Sequence, residues 1–138
     1  MAKVVVALLV LTLSMLAYGS KCTRCGYEKK HTHYPAYSRQ LQEVITIASK
    51  RTGIPVSEKD RDILNKIVRK ENRLGDLTLT YNGCYGLGQG KKSTYINSGV
   101  PWKTKCPVEQ VKMILIYVKG RYKTFSRAWN HHLKHNWY

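Results

Sequence analysis

The stretch IVRKENRLGDLTLTYNGCYGLGQG, residues 67–90, decides how the chain is read. It begins with the end of an apolar stripe, passes through one glutamate, Glu71, and closes on a glycine-rich loop. Just upstream, Ser57 followed three residues later by Asp60 has the form of a helix N-cap with acid in the first turn, and Ile63, Leu64, Ile67 and Val68 recur at helical spacing. The pattern predicts a helix over residues 58–71. Only eight acids occur in the chain, so the position of each carries information. Glu58, Asp60 and Asp62 sit at the positive end of that helix, whereas Glu71 falls at its negative end. Glu71 also follows Ile67 by four and Val68 by three, at the edge of the apolar stripe. Desolvation and the helix end raise its proton affinity while Arg69, Lys70 and Arg73 lower it. Standing alone, Glu71 reads as a solvated helix-end residue paired with one of those cations.

Working outward, Leu77, Leu79 and Tyr81 alternate with Thr78 and Thr80, and Asn82-Gly83 is a turn signal, which together predict a small hairpin or extended segment. Between residues 37 and 51, Leu41, Val44, Ile45 and Ala48 share one helical face, and Gly53 stops the run. A third helix is expected from Pro107, through Val108, Val111, Ile114, Leu115 and Val118, to Gly120. Thr124 or Ser126 can cap a short last helix carrying Ala128, Trp129 and Leu133. Residues 20–36 are polar, without helical period, and read as an arm. The expected class is α+β, mostly helical, with one domain over residues 37–138, in keeping with a length of 138 residues.

Residues 1–19 have the form of an export signal: Lys3, an apolar core over residues 4–17, and Ala17-Tyr18-Gly19 at the cleavage position. The expected location is therefore the periplasm, wall or medium, or a virion if the chain is phage-encoded. The apolar run is short against the roughly 20 residues of a spanning helix. A formal charge of +16 calls for a polyanionic partner: anionic lipid, an acidic wall polymer or nucleic acid, export making specific nucleic-acid binding the least favoured. Cys22, Cys25, Cys84 and Cys106 in an exported chain read as two disulfides with three possible pairings, and sequence position favours 22–25 with 84–106. A zinc site from Cys22, Cys25, His31 and His33 has atypical spacing, and His131, His132 and His135 cannot share one face of a short helix; no metal and no cofactor are expected.

The order of motifs carries a resemblance. Glu71-Asn72 at a helix end, then Gly86-Leu87-Gly88-Gln89, then Ala128-Trp129-Asn130, within a tail reading CPVEQVKMILIYVKGRYKTFSRAWNHHLKHNWY, resembles the lysozyme-like lytic transglycosylases. The likeness covers roughly residues 37–138. The family pattern has Ser where Asn72 stands, Met where Gly88 stands, and in many members Ala-Gly at His131-His132. The resemblance implies a lysozyme-like fold and cleavage of peptidoglycan between N-acetylmuramic acid and N-acetylglucosamine by a monomer. It implies Glu71 as the catalytic acid and then base, and Asn72, Gly86, Leu87, Gln89, Tyr117 and Asn130 as substrate-binding residues, Gln89 holding an N-acetyl group. The product would be a 1,6-anhydro-muropeptide. Ordinary glycosidases pair two carboxylates, and the nearest second acid, Asp76, reads as a turn residue bonded to local backbone. A goose-type hydrolysing lysozyme is the close alternative, and a non-enzymatic cationic wall-binding or membrane-active module is the rival from another class. Among the aromatics Tyr85, Trp102, Tyr117, Tyr122 and Trp129, core packing is the plainer expectation for Tyr122 and Trp129.

Overall fold

The computed structural model describes residues 20–22 and 24–136; the expected signal segment and the Trp137-Tyr138 end lie outside the described residues. The chain is α+β and mostly helical. A two-stranded hairpin, β1 (Ser20–Lys21) and β2 (Glu28–Lys29), is followed by α1 (Arg39–Thr52) and α2 (Glu58–Glu71). Next come β3 (Thr80–Tyr81), β4 (Cys84–Tyr85) and β5 (Gly90–Lys91), an antiparallel sheet in the order β3-β4-β5. The chain closes with α3 (Lys92–Asn97), α4 (Pro107–Tyr122) and α5 (Phe125–His135). Among the described residues no helix is long and apolar enough to cross a membrane.

Three of the four longer helices start at a residue whose side chain accepts from a free amide, and α4 instead starts at Pro107, without a side-chain cap. Ser57 and Asp60 form a reciprocal capping box on α2, and Thr124 accepts from Arg127 N–H at the start of α5. Helix α1 begins at Arg39, two residues later than the pattern predicts, because Ser38 is its cap. Tyr37 is in the left-handed region, with its N–H on Asn65 Oδ1 at 2.6 Å and its hydroxyl on Asp62. Helix α4 runs past Gly120, its expected end, to Tyr122, whose ring packs on Tyr117 and His131. Helix α3 and strand β5 lack a usable sequence signal: α3 has only six residues and no side-chain cap.

Helix α4 is the axis of the core. Val108, Val111, Met113, Ile114, Leu115 and Val118 are all buried, and a helix apolar on most of its circumference belongs inside. The Leu41, Val44, Ile45 and Ala48 face of α1 packs against it, and α5 lies against α2 and α4. Residues 20–36 do not trail as an arm: Tyr34 is fully buried and His33 bridges to Asp76. The backbone there is so close that a Cβ on Gly75 would stand 2.2 Å from the Tyr34 carbonyl carbon. That approach joins the N-terminal segment to the turn after α2.

Candidate active site

Glu71 is the last residue of α2, and its side chain borders a groove of about 830 Å³ that runs between the glycine-rich loop, α3 and α4. Gln89, Thr94, Met113 and Tyr117 line its walls, and Lys70, Lys91 and Arg121 put positive charge around it. Burial raises the Glu71 pKa to about 7. On its inner side Glu71 Oε1 lies 3.5 Å from Nδ1 of His132, which projects from α5. His132 is buried and stacks on Trp129, with the planes 8° apart. Burial, then the charges of Lys70 and His131, push its pKa below the ordinary histidine value. Burial thus disfavours the charged form of both partners in this contact.

The loop that faces Glu71 is built from inside. Gly86 has a φ of 80°, and a Cβ there would stand 2.5 Å from Gln110 Oε1 and 2.7 Å from the Tyr95 hydroxyl. Only glycine fits that space. Gln110, fully buried on α4, accepts from Leu87 N–H and donates to the carbonyls of Leu77 and Thr104. Tyr95 donates to the Tyr85 carbonyl. Tyr85, Tyr95 and Trp102 form an aromatic cluster beneath the loop.

This arrangement separates the sequence-derived site residues into two groups. Glu71, Gln89 and Tyr117 meet in the groove. Asn72, Gly86 and Leu87 are buried under it and not on its wall. Asn72 Nδ2 donates to the carbonyls of Asp76 and Gly86, and its Oδ1 accepts from Asp76 N–H, so the amide holds the α2 turn to the loop. Asn130 is exposed on α5 and borders no part of the groove; His132, about half a helical turn further on, reaches Glu71 in its place. A histidine two residues beyond the Ala-Trp-Asn motif was the available signal. The cationic rim was legible too, in Lys70 beside Glu71 and in Arg121 four residues after Tyr117, whose hydroxyl accepts from its guanidinium.

Among the described residues no second carboxylate lines the groove. Asp76 serves its own turn, accepting from the Thr78 N–H and hydroxyl, bonds that hold its pKa below the ordinary value.

The favoured cysteine pairing does not match the structure. The Cys25 and Cys106 sulfurs are 2.9 Å apart, Cys22 lies with them, and Cys84 is at the groove. The reason is that the β1-β2 turn folds back onto the start of α4, while β4 carries Cys84 away. All four cysteines are free thiols here.

Compared with known proteins, the chain matches no family model, no curated protein and no solved structure.

Proposed function

We propose that the protein is a lysozyme-like lytic transglycosylase that cleaves peptidoglycan between N-acetylmuramic acid and N-acetylglucosamine. The observation that carries this reading is Glu71: among the described residues the one carboxyl on the wall of a large groove, desolvated enough to hold its proton up to about neutrality. A general acid works best when its pKa is close to the working pH. The protonated Glu71 donates to the glycosidic oxygen as the bond from that oxygen to the muramic C1 breaks. The resulting carboxylate then accepts the proton of the muramic 6-hydroxyl, whose oxygen forms the new bond to C1. One carboxyl completes the cycle, no water is consumed, and the product is the 1,6-anhydro sugar.

The groove offers complementary groups. Both hydrogens of the Gln89 amide are spent on the carbonyls of Leu79 and Gly86, which fixes the side chain and leaves Oε1 as an acceptor for an N-acetyl N–H. Tyr117 supplies a ring face for a sugar, and Lys70, Lys91 and Arg121 suit the carboxylates of stem peptides. Digestion of purified peptidoglycan by the wild type and Glu71→Gln, with products read by mass spectrometry, tests the reading. Anhydro-muropeptides from the wild type alone are expected. Reducing-end products would make it a hydrolysing lysozyme, and intact glycan with both proteins would leave a cationic wall-binding module.

A further inference from the structure

Outside the lining of the groove, three thiols converge from two parts of the chain. Cys22 and Cys25 come from the turn between β1 and β2, and Cys106 is the N-cap residue of α4. Their sulfurs all lie within 4.8 Å of one another, with Cys25 and Cys106 at 2.9 Å. We propose that Cys22, Cys25 and Cys106 form a tri-thiolate site for a zinc-class divalent cation that clamps the N-terminal hairpin to α4.

The turn is shaped for this. Cys22 N–H donates to the Tyr27 carbonyl and Gly26 N–H to the Cys22 carbonyl, both at 2.8 Å, and Gly26 has a φ of 69°. These bonds wrap the backbone around the two sulfurs and present both to Cys106. Zinc holds thiolates at about 2.3 Å in a tetrahedron, which places sulfurs roughly 3.8 Å apart. The triangle needs only small side-chain adjustments to reach that spacing. Cys106 is buried and Cys22 and Cys25 are half-buried, so the cation's fourth position faces the solvent side and takes water or an exogenous ligand.

Charge and counting agree with a cation. Three thiolates around a divalent ion leave one net negative charge, and the positive end of the 16-residue α4 lies at Cys106. Arg51 donates to the Cys25 carbonyl on the other side. Disulfide pairing leaves this cluster with an odd thiol, because its only other partner, Cys84, is at the groove. Coordination uses all three. The expectation of no metal weighed Cys22 and Cys25 with His31 and His33, whereas the structure brings Cys106 to them.

The test uses the full chain purified under reducing conditions without chelator. Zinc per chain is measured by mass spectrometry of the metal, and anaerobic titration with cobalt(II) is followed through its thiolate charge-transfer absorption. One ion per chain is expected, lost in Cys22→Ser and in Cys106→Ser and kept in Cys84→Ser. If those variants fail to fold, thiol labelling of the wild type decides: with zinc present, only Cys84 should react readily. Equal labelling of all four thiols with zinc present overturns the site. So does failure of the anaerobically reduced wild type to bind cobalt while mapping of the oxidised protein finds a Cys25–Cys106 disulfide.

Discussion

Glu71 Oε1 and His132 Nδ1 stand 3.5 Å apart on facing helices, and burial drives both side chains toward their uncharged forms. A groove carboxyl that titrates at about 7 donates a proton at neutral pH, and the neutral ring beside it leaves that proton in place. Below the histidine pKa the ring becomes a cation while Glu71 keeps its proton, and positive charge beside the site disfavours the oxocarbenium-like transition state. Cleavage should therefore follow a bell in pH, with an alkaline limb near 7 from Glu71 and an acidic limb, below the ordinary histidine range, from His132. His132→Asn should abolish the acidic limb and keep the alkaline one. A pH profile of kcat/KM on soluble glycan fragments checks this; an acidic limb unchanged in the variant would show that His132 does not set it.

Glu71→Gln should separate activity from stability. The acid step is worth about 10²–10⁴-fold, so cleavage should fall by at least that range. Folding raises the Glu71 pKa from 4.5 to about 7, so across that window the native state holds more protons than the unfolded state. Stability contributed by this carboxyl is present below about 4.5 and is lost as pH rises through about 7. The glutamine has no charge to desolvate, and should stabilise the protein on the order of 2 kcal/mol at about pH 8 while changing little at about pH 4. Urea titrations of both proteins at the two pH values measure the difference. Equal midpoints under the alkaline condition would mean that Glu71 is better solvated than its position indicates.

The contrast between Glu71 and Asn72 shows what the sequence could and could not convey. The apolar stripe of α2, its Ser57 cap and the alternation before Asn82-Gly83 are local patterns, and the helix, its end at Glu71 and the short strand segment were legible from them. So was the position of Glu71 at the edge of burial. Which opposing influence on its proton wins depends on the depth of the groove, set by α4 and α5, which lie far along the chain. Asn72 looked like a ligand group because of its neighbour, yet its inward direction is fixed by carbonyls at Asp76 and Gly86. The gathering of Cys22 and Cys25 at Cys106 is likewise a tertiary contact, with a sequence separation of 81 between the last two.

Asn72→Ala should act on the fold before it acts on substrate. It removes two donated bonds and one accepted bond from a fully buried position, and stranding buried polar backbone costs about 1–3 kcal/mol. The denaturation midpoint should fall accordingly, while KM of the folded fraction changes little. A large rise in KM without loss of stability would return Asn72 to the groove wall.

Gly86→Ala should be the most damaging glycine substitution in the loop. Its Cβ would meet Gln110 and Tyr95, and its φ of 80° is unfavourable to any L side chain. Strain of this kind costs about 1–3 kcal/mol, and overpacking adds a comparable amount. Gly83 is the matched control, since it has a φ of 74° but open space around an added Cβ, with nothing within 4 Å. Gly83→Ala therefore carries the backbone cost alone. The difference between the two unfolding free energies isolates the contact of the loop with Gln110. Equal losses would mean that Gln110 and Tyr95 give way at no cost, and the loop facing Glu71 would then be softer than its hydrogen bonds imply.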